Sequence, residues 1–117
     1  FQQLLPGAPI VVIGPSDMAR KAGTLMETYP QVVWVRNALK KAAWENNALF
    51  WDVFEVMGGS GSMAAWVESE PPLASADHIH FTPRGAKQIA ELLRQSFQAE
   101  WTLWQNTQAE HSLVNAP

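Results

Sequence analysis

Two side chains three residues apart have the types and the spacing needed for proton transfer. Asp77 and His80 lie in the run DHIHFTPRG at residues 77–85. On one ordered loop, the Asp77 carboxylate can accept the Nδ1–H of His80 and stabilise the imidazolium, which leaves Nε2 to take a proton from a hydroxyl nucleophile. The spacing predicts two members of a Ser-His-Asp triad. Capping or a plain surface position is the other interpretation of such residues near a helix start.

A metal site is a second interpretation of the same segment. His78 and His80 form an H-x-H pair that could bind a metal together with Asp77, and His111 is the only further histidine. The sequence contains no cysteine, which excludes disulfides, thiol nucleophiles and cysteine metal sites. We expect no metal and no organic cofactor.

Two short apolar segments and one helix must position this loop. Residues 10–13 (IVVI) and 49–54 (LFWDVF) are typical of strands buried on both faces of a parallel sheet. An apolar stripe predicts a helix from Pro30 to about Asn46 between them. Strand, helix and strand in this order predict a βαβ unit of an α/β fold.

The remaining segments are assigned from turn residues and helix signals. We expect the end of a helix at residues 1–5, irregular chain at 18–29, a flexible glycine loop at 58–62 and a short helix at 63–67. Thr82 and Pro83 predict the start of a C-terminal helix. The polar segment after about Thr107 is expected to fray.

Composition limits the class of protein. The chain has 117 residues, 47% of them hydrophobic, and a net charge of −3. No basic block suggests nucleic acid, and no apolar run approaches the roughly 20 residues of a membrane span. Two interior strands fall short of the ~4–6 of a typical sheet, which indicates part of a larger fold. The start at Phe1, without Met, suggests a mature or clipped fragment, and six tryptophans suggest a surface that packs on a partner.

The order of these motifs resembles the C-terminal half of the SGNH/GDSL hydrolases. The D-x-x-H-F-T-P-x-G run resembles the last conserved block of that family, residues 10–17 resemble a late sheet strand with its loop, and residues 49–59 resemble the next strand and loop. The sequences at residues 57–59 (MGG) and 63–66 (MAAW) are most similar to those of bacterial carbohydrate-esterase-type members. The resemblance implies an α/β/α three-layer, flavodoxin-like fold with a parallel sheet. Residues 1–105 would be the C-terminal part of one such domain, and residues 106–117 a flexible tail.

The resemblance also implies what is missing from this chain. The family's nucleophile lies in an N-terminal G-D-S block, and its oxyanion-hole residues lie in two further blocks, none of which occurs in this sequence. Ser16 and Ser60 lack that context and are interpreted as turn residues with a small allowance for substrate contact. Ser60 also misses a G-x-S-x-G elbow, since Ser62 stands at the fifth position. Trp66 is a candidate to line the substrate side, although packing is its favoured role; Trp34, Trp44 and Trp51 are expected to pack.

These inferences predict part of a serine esterase. A serine from an N-terminal half, on the same precursor or another chain, would attack a small acyl ester, with acetyl groups on carbohydrate as the class that the resemblance implies. This chain alone is then expected to be inactive. A non-catalytic half-domain that pairs with another chain is the alternative. Esterases of this type are commonly exported, so a periplasmic or secreted location is an expectation from the resemblance alone.

Overall fold

The described part of the chain contains four strands and four helices. The computed structural model describes Leu4 and residues 6–114, with side chains described through Gln108. The predicted helix end at residues 1–5 lies outside the described residues, apart from Leu4 in a turn. The elements are β1 (Val11–Ile13), β2 (Ala19–Ala22), β3 (Leu25–Thr28), α1 (Pro30–Glu45), β4 (Leu49–Trp51), α2 (Val53–Met57), α3 (Ser62–Glu68) and α4 (Pro83–Val114).

Strands β1 and β4 pair in parallel, with Val12 opposite Phe50 at the centre of the register. Helix α1 connects them, which confirms the predicted strand–helix–strand unit and the α/β class. Pro30 lies in the first turn of α1, where its missing N–H costs no hydrogen bond. The helix ends at Glu45 with Asn46 as its C-cap, and Asn47 follows with a left-handed φ of 51°.

The expectation that both strands are buried on both faces is wrong for this chain. Ile13 is 57% exposed and Leu49 is 60% exposed, whereas Trp51 is buried. The physical reason is that β1 and β4 form a sheet of two strands, so each strand has a neighbour on one side. Trp51 is covered because α4 crosses it, and its indole Nε1–H donates to the Ser96 hydroxyl over 3.1 Å.

Residues 18–29 are not irregular, as was predicted, but contain the antiparallel hairpin of β2 and β3. Ala22 pairs with Leu25, which leaves a two-residue connection at Gly23 and Thr24. Gly23 has a φ of 64°, a conformation that glycine adopts freely and that such tight hairpin turns require.

The predicted strand at residues 49–54 is half strand and half helix. Strand β4 ends at Trp51, and Asp52 caps α2 by accepting a hydrogen bond from the Glu55 N–H at 3.4 Å. The Asp52 carboxylate also pairs with the half-buried Arg36 of α1. The cap and the ion pair together end the strand, because they stabilise a helical turn in a segment whose apolar residues also suit a strand.

The glycine segment at residues 58–62, which was expected to be a flexible loop, forms a compact turn between α2 and α3. Gly61 donates its N–H to Thr28 Oγ1 over 2.8 Å, and Ser62 is buried in the first turn of α3. Helix α3 confirms the predicted short helix. The turn is therefore fastened to the end of the hairpin.

Helix α4 begins as predicted and runs further than predicted. Thr82 Oγ1 accepts from the Gly85 N–H over 3.2 Å, which confirms Thr82 as the cap. The helix continues to Val114, although the polar segment after Thr107 was expected to fray; residues 115–117 lie outside the described residues. No described helix is both long enough and apolar enough to cross a membrane.

The core lies where the hairpin, the helices and β4 meet. Its buried members are the indole of Trp51 and the smaller apolar side chains in the same cluster, Ala19, Val53, Met57, Met63 and Ala74. Trp66 packs against this cluster, as expected of a packing residue. Trp34 and Trp44 are mostly exposed on α1, so their predicted packing role is wrong within the described structure, in which α1 covers only one face of a two-stranded sheet.

Candidate functional site

Asp77 and His80 lie at the tip of the loop between α3 and α4. The two arms of this loop meet as a short antiparallel ladder, in which Ala74 bridges Phe81 and the Thr82 N–H donates to the Leu73 carbonyl over 3.0 Å. The Ser75 N–H donates to the His80 carbonyl over 2.8 Å. These backbone bonds close a six-residue tip, 75–80, directly before α4.

The carboxylate and the imidazole make the contact that the spacing predicted. Asp77 Oδ2 lies 2.7 Å from His80 Nδ1. Oδ1 accepts two backbone N–H groups, from Ile79 at 2.9 Å and from His80 at 3.0 Å. Three donors therefore fix the carboxylate against the ring, and Nε2 is the nitrogen left for a partner outside the loop.

The same hydrogen bonds keep Asp77 ionised. The bond from the His80 side chain, followed by the two backbone N–H bonds, lowers the pKa of Asp77 to about 2. An ionised carboxylate accepts hydrogen bonds only, so the Nδ1 atom of His80 carries the proton between the two residues. This is the tautomer in which Nε2 is basic.

The pair lies at the surface of the described chain. The side chain of His80 is 76% exposed and that of Asp77 is 48% exposed. Among the described contacts, no serine hydroxyl is bonded to the imidazole of His80. Ser60 Oγ donates to Thr28 Oγ1 over 3.2 Å, and Ser16 is half-buried between β1 and β2. Ser60 is a turn residue, as interpreted from the sequence. The geometry leaves Nε2 of His80 open to solvent while Nδ1 faces the carboxylate of Asp77.

Trp66 lies behind the site. Its ring centroid is 5.6 Å from that of Phe81, the residue after His80. Its backbone carbonyl accepts from the N–H groups of Leu73 and Ala74. Trp66 therefore supports both arms of the loop.

The histidine at position 78 does not join the pair. Its Nδ1 lies 3.0 Å from the Ala76 carbonyl, which makes that nitrogen a donor. Among the side chains that the structure describes, no group of three His, Cys, Asp or Glu residues is placed to hold a metal ion. The side chain of His111, named above as a further ligand, lies outside the described residues.

Asp17, which the resemblance places in the loop after the first strand, is a supporting residue in the structure. Its side chain is fully buried, and Oδ2 accepts the Met63 N–H over 2.9 Å and the Ser62 hydroxyl at 3.5 Å. Two residues later, the Ala19 N–H donates to the His78 carbonyl over 3.0 Å. The segment after β1 thus connects α3 with the Asp77–His80 loop. In the sequence, the only sign of this role was an acidic residue after a strand, and acidic residues are also common in turns.

Comparison with known proteins gives one structural likeness. No family model matches the sequence, and no curated protein matches it. A solved structure of a peptidoglycan O-acetylesterase is similar to this chain, with a TM-score of 0.75 and 26% sequence identity over 84% of this chain. The chain spans 28% of the length of that protein. The α/β fold is thus shared with a segment of an esterase, a hydrolase-type relative.

Proposed function

We propose that this protein is part of a serine ester hydrolase in which Asp77 and His80 complete a triad whose serine lies outside this chain. The 2.7 Å contact between Asp77 Oδ2 and His80 Nδ1 carries the proposal. The likeness to a peptidoglycan O-acetylesterase supports it, since a His–Asp pair can activate the nucleophile of an esterase. The further assignment to the SGNH/GDSL type rests on the D-x-x-H-F-T-P-x-G run.

The mechanism assigns one task to each side chain. His80 Nε2 removes the proton of the serine hydroxyl as its oxygen attacks the acyl carbonyl, and Asp77 stabilises the imidazolium that forms. The imidazolium then gives that proton to the departing alkoxide, which leaves an acyl-serine. His80 next deprotonates a water molecule that attacks the acyl carbonyl, and the serine recovers the proton as the carboxylic acid leaves.

The proposed substrate class is a small acyl ester, with acetyl on carbohydrate as the first choice. The structural relative is a peptidoglycan O-acetylesterase, which supports acetyl as the acyl group. The exposed side chain of His80 leaves room for an ester carried by a large glycan. The oxyanion donors would come from the same missing part as the serine. Such donors usually make the greatest single contribution to the rate of acyl transfer, so the pair alone should achieve little.

The proposed partner is the N-terminal half of the same hydrolase domain. Strands β1 and β4 form a parallel pair, which normally occurs inside a sheet covered on both faces. The exposed Ile13 and Leu49 are apolar surface that such a half would cover. The partner would therefore supply sheet strands as well as catalytic groups.

A segment exchange tests the proposal. This chain would replace the matched segment of the peptidoglycan O-acetylesterase, and release of acetate from an aryl acetate would be measured for the hybrid and for the isolated chain. We expect turnover by the hybrid and none by the isolated chain. Circular dichroism would establish that the hybrid is folded, and Gln88→Ala, on the exposed surface of α4, would serve as the control. A folded but inactive hybrid would favour the non-catalytic half-domain instead, and turnover by the isolated chain would refute the missing serine.

A further inference from the structure

We infer that His78 is a positioning residue that acts through its left-handed backbone and not through its imidazole. The inference deepens the proposed function, on which its catalytic meaning rests. His78 has a φ of 58° and is one of two non-glycine residues with positive φ in the described chain, Asn47 being the other. It lies directly between Asp77 and the residues whose N–H groups Asp77 binds.

The reversal at His78 makes the carboxylate contacts compatible with one another. Asp77 Oδ1 must accept from the backbone of both Ile79 and His80 while Oδ2 reaches the ring of His80. An extended residue at position 78 would carry the chain away from Asp77, at about 3.3 Å per residue. The left-handed turn keeps these donors on one carboxylate.

The backbone groups of His78 hold that turn from two sides. Its N–H donates to the Ser75 carbonyl over 3.0 Å, within the loop. Its carbonyl accepts from the Ala19 N–H over 3.0 Å, outside the loop. Ala19 is a buried member of the core, and Asp17 beside it is bound to α3. The carbonyl of His78 therefore anchors the loop tip to the body of the molecule.

The imidazole of His78 has a smaller, local task. Its hydrogen bond goes to the Ala76 carbonyl, two residues back. Left-handed backbone is strained for residues that carry a Cβ and free for glycine. Removing the ring should thus cost little where the new residue is glycine, and more where it is alanine or a β-branched residue.

Three variants of the full chain separate backbone from ring: His78→Gly, His78→Ala and His78→Val. All three lack the imidazole, and they differ in the strain of a positive φ. The readout is the tautomer of His80 at pH 8, from nitrogen–proton correlation spectra of the ring, because Nδ1–H marks the bond to Asp77. Thermal unfolding of each variant reports its stability. Neither measurement needs a substrate, so the result is independent of the segment exchange.

We expect His78→Gly to keep the Nδ1–H tautomer of His80, and His78→Val to lose at least half of it. His78→Ala should lie between them and melt roughly 4 °C below the glycine variant. If the valine variant does not fold, the glycine and alanine variants give the same comparison. Loss of the tautomer in the glycine variant would show that the imidazole is what matters, and equal spectra for all folded variants would show that the turn needs no left-handed residue. Either result overturns the inference.

Discussion

At the scale of single residues, the site depends on one carboxylate with three donors. Two backbone N–H groups and the His80 ring converge on Asp77, so the loop that places the pair also sets its ionisation. The tautomer of His80 follows from that ionisation. All three donors belong to the six-residue tip itself.

The ionisation of Asp77 can be measured directly. Its pKa of about 2 lies below the usual 3.8, because the His80 side chain and two N–H groups stabilise the charged form. A depressed folded-state pKa means that the stabilising contribution is present above the unfolded pKa and is lost as the pH falls through about 2. We expect a carboxyl titration by ¹³C NMR with a midpoint near 2.

Replacing the first donor should raise that midpoint. In His80→Ala, Asp77 loses its largest source of stabilisation, so the pKa should move up towards 3.8. Glu91, held on α4 by Arg94, gives the matched control and should keep its lowered pKa of about 2. A wild-type midpoint near 3.8 would contradict the hydrogen-bond geometry.

At the scale of elements, Gly85 lets α4 start against the loop. A Cβ at this position would overlap the Leu73 carbonyl oxygen, and a backbone atom cannot move away as a side-chain end can. The Thr82 N–H donates to the same Leu73 carbonyl, and Thr82 also caps α4. Close approach at Gly85 therefore holds the ladder behind Asp77 and His80 together.

Gly85→Ala should destabilise the protein by about 2–3 kcal/mol, because the overlap forces the helix away from the loop. Unfolding by urea, followed by circular dichroism, would measure the change. Lys87→Ala, two residues further along the exposed surface of α4, should stay within about 0.5 kcal/mol of the wild type. Equal stability of the two variants would show that the helix start has room for a methyl group.

Elements were predictable from the sequence where local signals agreed with packing. Pro30 and the paired asparagines at 46–47 bound α1 as expected, and Thr82 caps α4. The hairpin was missed because the exposed Arg20 and Lys21 give β2 no clear alternation. The strand over residues 49–54 was overextended because the pairing of Asp52 with Arg36 on another helix is invisible in local sequence.

At the site as well, local features were predictable from the sequence and long-range contacts were not. The contact of Asp77 with His80 follows from residue types and a spacing of three, so it could be predicted. The left-handed backbone at His78 and the anchor from Ala19 could not, because they depend on a hairpin elsewhere in the chain. Trp66 was correctly given a packing role, and its place behind Phe81 became known only with the fold.

At the scale of the whole molecule, the described chain combines a packed core with exposed apolar side chains on the sheet and on α1. The hairpin, α2, α3 and the start of α4 surround the buried Met63. By contrast, Ile13 and Leu49 on the sheet are largely exposed, as are Trp34 and Trp44 on α1. The Asp77–His80 loop is anchored to the packed core through the Ala19 N–H. The pair therefore forms within this chain, and the exposed apolar side chains are the surface on which the proposed N-terminal half would pack.

The proposed role of His80 as the base of an ester hydrolase can be measured through kcat of the segment-exchange hybrid. Aryl acetate turnover would be compared for the hybrid and for its His80→Ala and His78→Ala variants, with folding confirmed for each. We predict that His80→Ala lowers kcat by at least about 10³-fold, as expected for loss of a triad base, while His78→Ala lowers it far less. Unchanged kcat in His80→Ala, or a larger loss in His78→Ala, would show that His80 is not the base.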